Sequence, residues 1–163
     1  AILEEAINKE DMQFVLLGTG QKKYENFFKR ISKKYPDQIG VKIKYDGKLA
    51  QKMYAGLDMF LMPSRFEPCG LSQIISMRYG TIPIVKETGG LKDTVEPYNE
   101  FEDTGFGFSF ANFNAHDMLY TIRRAIHFYQ QKEIWEKLMK RAMVKDFSWK
   151  HSAQEYIKLY KSL

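Results

Sequence analysis

Asp58-Met59-Phe60-Leu61-Met62-Pro63-Ser64-Arg65-Phe66-Glu67-Pro68-Cys69-Gly70-Leu71-Ser72-Gln73 is an apolar run, a turn-forming linker and the opening of a helix in direct succession. Asp58 to Met62 is a continuous apolar run, as in a parallel strand buried on both faces, and Leu71 to Tyr79 carries apolar residues at helical spacing until Gly80 closes it. The stretch therefore predicts strand, loop and helix. Its loop sets one carboxylate, Glu67, and one thiol, Cys69, just ahead of Gly70. The backbone N–H groups of such a helix start lack intrahelical partners and can meet anionic or hydroxyl groups of a ligand.

The same unit repeats on both sides. Upstream, Gln13 to Leu17 is a strand ended by Gly18-Thr19-Gly20. Tyr24, Phe27, Phe28 and Ile31 then recur at helical spacing until Pro36, Ile39 to Ile43 is a second strand, and Leu49, Met53 and Tyr54 mark a short helix. The amphipathic opening, Ala1 to Ile7, has no capping residue before it, which points to a piece of a longer protein. Downstream, Ile82 to Val85 is a fourth strand, and its Pro83 confines it to a sheet edge or to a strand's first residues. A brief helix near Lys92 to Val95 follows, and the acidic, turn-rich Tyr98 to Gly107 predicts a mobile loop. After the short strand Phe108 to Phe110, Asn114 caps a helix carrying Met118, Ile122, Ala125 and Tyr129. Ile134, Trp135, Leu138 and Met139 mark another helix, and His151 to Leu163 the last.

Strands alternating with helices predict one α/β domain over 1–163, with a doubly wound, mainly parallel, Rossmann-like sheet and C-terminal helices. In such a sheet every strand-to-helix loop leaves at one edge, so Gly18 to Gly20, Tyr45, Ser64 to Leu71 and Lys86 to Leu91 should line one crevice. An aromatic face, glycines that admit a phosphate, and a carboxylate together describe a pocket for a nucleotide sugar.

Composition removes several classes. With 44% hydrophobic and 15% aromatic residues, the 163-residue chain is too apolar for disorder. The net charge of +5 is dispersed. Its densest basic stretch, Lys22, Lys23, Lys29, Arg30, Lys33 and Lys34, reads as the solvated side of a helix, so no nucleic-acid partner is expected. One cysteine cannot form an internal disulfide and no run approaches the ~20 apolar residues of a membrane span, so a cytoplasmic protein is expected.

Each candidate also has a plainer reading. Gly18-Thr19-Gly20 lacks the third glycine of a dinucleotide fingerprint and serves equally as a tight turn. Gly89-Gly90 is a turn or helix entry, or with Thr88 and Lys86 beside it a diphosphate loop. Glu67 is a helix-capping carboxylate, a salt-bridge partner of Arg65 or Arg78, or a catalytic group. Cys69 as a nucleophile lacks a base, because His116, His127 and His151 fall in helices beyond the sheet, and no His or Cys spacing suits a metal. Most aromatics are core, with Tyr45 at a strand end as the exception.

Pro63-Ser64-Arg65-Phe66-Glu67-Pro68-Cys69-Gly70-Leu71 with Gln73, Arg78-Tyr79-Gly80-Thr81-Ile82-Pro83, Thr88-Gly89-Gly90-Leu91 and Asp93-Thr94-Val95 resemble the C-terminal domain of the bacterial-type glycogen and starch synthases. The resemblance runs from Phe14-Val15-Leu16-Leu17-Gly18-Thr19-Gly20 through Tyr54-Ala55-Gly56 to Phe147-Ser148-Trp149. It implies a retaining glycosyltransferase of two Rossmann-like domains, with ADP-glucose (or UDP-glucose) held mainly by this one. The α-1,4-glucan acceptor would be presented by an N-terminal domain that this chain does not include. By position, Glu67 matches the essential carboxylate facing the donor sugar, and Cys69, Gly70 and Leu71 lie beside the glucose hydroxyls. Thr88, Gly89, Gly90 and Leu91 match the diphosphate loop, and Tyr45 the residue stacked on the nucleobase. No metal or cofactor is implied. Ile75 stands where related transferases carry a second glutamate, which leaves Gln73 as a candidate for the ribose contact, and Gln51 stands where histidine is frequent. The Arg and Lys that clamp the diphosphate would lie upstream, so this piece alone should not elongate glucan. A non-catalytic nucleotide- or partner-binding module is the alternative.

Overall fold

The computed structural model describes residues 2–163. The expected opening helix is α1, Ile2–Lys9; Ala1, included in that expectation, lies outside the described residues. The first half continues with β1 (Phe14–Leu17), α2 (Lys22–Lys34), β2 (Ile39–Lys42) and α3 (Gly47–Gly56). The second half runs β3 (Met59–Met62), α4 (Ser72–Arg78), β4 (Ile82–Lys86), α5 (Gly89–Thr94), β5 (Phe108–Phe110), α6 (Ala115–Tyr129), α7 (Lys132–Val144) and α8 (Trp149–Lys161).

All pairing between the five strands is parallel, as the alternation predicts. Phe14 lies opposite Ile39 and Leu17 opposite Lys42, while β3, β4 and β5 pair in that order. Instead of one ladder there are two among the described residues. Helix α3 is tied to the second: Thr81 Oγ1 donates to the carbonyls of Tyr54 (2.5 Å) and Leu57 (2.8 Å). An apolar cavity of about 410 Å³, lined by Val15, Leu16, Val41, Leu49 and Met53, is left between α3 and β1–β2.

Strand β4 shows why the second ladder is covered on both sides. Ile82 and Ile84 point into a cluster with Phe108, Phe128, Trp135 and Leu138, while Val85 packs the other way with Leu91 and Val95. Period-two alternation in a strand with no polar residue before Lys86 demands helices on each face, and α6 and α7 cover one while α5 covers the other. A separate cluster of Ile7, Ile31 and Ile39 holds β1–β2 under α1 and α2. Arg123 of α6 joins the halves by donating to Glu10 (2.6 Å) and Glu5 (3.3 Å) of the α1 segment.

Pro83 lies in the central strand and not at an edge. It is the strand's second residue, and β5 pairs only from Ile84 onward, so its missing N–H faces no partner in β5. The stretch 98–107, expected to be mobile, is tied down. Tyr98 N–H donates to Gly107 O, Asn99 and Thr104 exchange both backbone bonds, and Tyr98 and Phe106 are buried, leaving Phe101 exposed at the tip. Helix α5 starts three residues earlier than expected. Asn114 caps α6 by accepting from Asp117 N–H at 2.8 Å, as predicted, and the basic residues of α2 are exposed. Helix α8 contributes to none of the three clusters and leaves Trp149, Tyr156 and Tyr160 exposed.

Candidate active site

The loop after β3 and the loop after β4 leave neighbouring strands at the same end and interlock. Gly90 N–H donates to Pro68 O at 3.1 Å and Thr88 Oγ1 to Arg65 O at 3.5 Å. A side chain at Gly90 would meet the Cys69 backbone, its Cβ only 2.6 Å from the Cys69 Cα, and one at Gly89 would strike the Glu67 carbonyl oxygen. Gly89 also has φ +43°, the left-handed region that favours glycine. The paired glycines thus serve an approach of chain to chain, a reason that the sequence alone does not disclose.

Glu67 stands half-buried on this junction, and among the described residues its carboxylate makes no hydrogen bond or ion pair. The plainer readings do not hold. Arg65 lies over the Phe66 ring at 5.4 Å, and Arg78 donates to Met143 O at 2.8 Å. Helix α4 begins at Ser72 behind Leu71, so Glu67 is too far ahead to cap it. Beside it Cys69 and Leu71 are exposed, and Gly70 has φ +76°. His116 and His127 sit on α6 and His151 on α8, so the loop carrying Cys69 has no histidine of its own. No group of three or more His, Cys, Asp and Glu among the described residues is arranged for a metal ion.

Gln73 cannot face a ribose, because it is fully buried. Its Nε2 donates to Cys69 O (3.1 Å), Gly70 O (2.8 Å) and Thr94 Oγ1 (3.0 Å), and Thr94 Oγ1 donates to Gly90 O (2.5 Å). Leu91 is also fully buried, with Val85 and Val95, and its N–H donates to Thr88 O at 3.1 Å, so it does not face a ligand. Lys86 Nζ donates to Glu87 O at 2.6 Å, and Ser109 Oγ donates to Glu87 at 2.8 Å, so Lys86 is engaged by its neighbour's backbone.

The other two candidate loops belong to the first ladder. Tyr45 is 93% exposed, beside Asp46, which caps α3 by accepting from Leu49 N–H at 2.9 Å. The Asp46 carboxyl is held below its ordinary pKa by Lys44 and then by that N–H. At Gly18-Thr19-Gly20 the structure favours the tight turn. Gly18 N–H donates to Lys42 O, and Gly20 N–H donates to the buried Glu25 carboxylate at 3.2 Å. That N–H, followed by Lys22, holds Glu25 below its ordinary pKa, so a protein anion already occupies the position a phosphate would need. Glu25 was missed in the sequence; its signal is an acid in the first turn of a helix entered from a glycine loop. The structure therefore brings Glu67, Cys69, Gly70 and Leu71 directly against Thr88, Gly89, Gly90 and Leu91. Tyr45 and Gly18 to Gly20 make no hydrogen bond to those loops among the described residues.

Known proteins are similar to this chain along nearly its whole length. Glycogen synthase of Clostridium novyi (strain NT) is 56% identical over 162 residues, which is 99% of this chain and 34% of that protein. Glycogen synthase of Geobacillus thermodenitrificans (strain NG80-2) is 60% identical over 154 residues, 94% of this chain and 32% of that protein. The chain thus spans about a third of the length of these relatives. The catalytic domain of starch synthase IV from Arabidopsis thaliana, bound to ADP and acarbose, superposes with a TM-score of 0.84 at 36% identity, covering 99% of this chain and 35% of that one. Residues 1–142 match the family model described as glycosyl transferases group 1, and on that match, with glycogen synthases this similar beside it, the chain belongs to that family.

Proposed function

We propose that this chain is the donor-binding domain of a glycogen synthase, which holds ADP-glucose for transfer of glucose, with retention, to the non-reducing end of an α-1,4-glucan. The acceptor is presented by a preceding domain, and the protein works in the cytoplasm, where its single cysteine suits a reducing compartment. The observation that carries this reading is the uncommitted Glu67 carboxylate on a junction of two interlocked loops.

The chemistry follows from charge. When the nucleoside diphosphate departs, positive charge develops on the sugar ring and negative charge on the phosphate. A carboxylate on the sugar side stabilises the first, and the backbone N–H groups of Thr88 and Gly89 stabilise the second, most effectively once water is excluded. Tyr45, projecting into solvent, supplies a face for the nucleobase. A cation for the diphosphate comes from residues upstream, since Lys86 is engaged by Glu87 O.

Glu67→Gln keeps the side chain's size and removes its charge. In the full-length protein it should lower kcat for glucosyl transfer from ADP-glucose to glycogen by about 100-fold or more while ADP binding stays within about twofold. Turnover equal to the parent protein would refute the role of Glu67.

A further inference from the structure

We propose that Gln73 is the positioning residue of the donor site: a buried amide that orients the Cys69–Leu71 backbone and couples it to the Gly89–Gly90 loop. This rests on the donor-site reading above. Gln73 is 0% exposed, and its NH₂ group is surrounded by three oxygens, Cys69 O, Gly70 O and Thr94 Oγ1, at 2.8 to 3.1 Å. Its own Oε1 is buried without a hydrogen-bond partner among the described residues. A flipped amide would set that oxygen against two carbonyls, so the orientation is forced and the unpartnered acceptor is what it costs.

The consequence lies in the peptide planes. In a trans peptide the N–H points opposite to the C=O, and no cis bond occurs among the described residues. Holding Cys69 O and Gly70 O inward therefore turns Gly70 N–H and Leu71 N–H outward, and neither N–H has a protein partner among the described residues. Gly70 at φ +76° followed by Leu71 at φ −104°, ψ −25° is an alternation of hand that turns successive N–H groups to one side. The same amide reaches the second loop through Thr94 Oγ1, which donates to Gly90 O at 2.5 Å. Gln73 thus sets where the outward N–H pair stands relative to the loop that meets the diphosphate.

Gln73→Glu is isosteric but offers acceptors to three oxygens, whereas Gln73→Leu offers nothing. In the full-length protein both should lower kcat for transfer from ADP-glucose, roughly 10- to 100-fold, with donor KM moved less. Gln73→Glu should be the worse at neutral pH and recover as pH falls, because a protonated carboxyl regains a donor. A filler of space predicts the opposite order, with Gln73→Glu nearly wild-type and no pH recovery. Thermal unfolding of Gln73→Leu, Thr94→Val and the double variant reads the brace without activity: Thr94→Val should lower Tm in the parent and by less in the Gln73→Leu background, where only its bond to Gly90 O is left to lose. Additive Tm shifts, or a Gln73→Glu variant with unchanged kcat, overturn the proposal. A parent protein that transfers no glucose refutes the donor-site reading instead, and the positioning role with it, while the Tm cycle still reports whether the brace exists.

Discussion

Replacing Gly90 by alanine drives a methyl group into the backbone of the neighbouring loop. The new Cβ would strike the Cys69 carbonyl oxygen and lie 2.6 Å from the Cys69 Cα; ordinary contact begins at 3.4 Å, so the loops must part by at least about 0.8 Å. Those atoms are backbone in a segment held by Gln73 and cannot swing aside as a side-chain tip does. Parting the loops also stretches the Gly90 N–H to Pro68 O bond from 3.1 Å beyond useful length. Overpacking of this kind costs about 1–3 kcal/mol of stability. A displacement approaching 1 Å between groups that must act together costs on the order of 100-fold in rate. The assay is glucosyl transfer to glycogen in the full-length protein, alongside urea unfolding, with Gly20→Ala as the control because its Cβ meets nothing within 4 Å. Gly90→Ala should lose most of its kcat and unfold at lower urea, while Gly20→Ala keeps parental turnover. A Gly90→Ala protein with parental turnover would show that loop contact does not govern the site.

Tyr45→Ala should weaken ADP binding roughly tenfold, since base-on-aromatic stacking is worth about 1–3 kcal/mol; Tm should not move, because the ring is 93% exposed, and titration calorimetry with ADP reads the change. Glu25 has a folded pKa below its ordinary value, so the stability it confers is present above that ordinary value and is lost as pH falls through the folded one. The Tm gap between parent and Glu25→Gln should therefore be widest near neutrality and close on acidification below roughly pH 4, and a gap that is flat or widens in acid would refute it. Phe108→Ala removes a fully buried ring stacked between Phe128 and Trp135 and should cost about 3–5 kcal/mol in urea unfolding; a loss below ~1 kcal/mol would mean that the cluster collapses around the gap.

Local chemistry was legible in the residues themselves. The apolar run 58–62 holds strand β3, half-buried at the end of its sheet and not covered on both faces as expected, while Pro36 and Gly80 follow helices they cannot extend, and Asn114 caps α6 through an oxygen placed three residues before the N–H it accepts. The loop at 63–71 was legible too, as the break between an apolar run and the helical spacing that follows it. What tertiary structure alone decided are contacts between segments far apart in sequence. That Gly89 and Gly90 are glycines because Glu67 and Cys69 press on them, that Gln73 faces down into the fold, that Glu25 fills the Gly20 turn and that α3 leans on β4 through Thr81 all depend on distances in space. Backbone periodicity carries information over a turn or two of chain; which loops touch, and which polar group satisfies which, is set only when the strands take their places side by side.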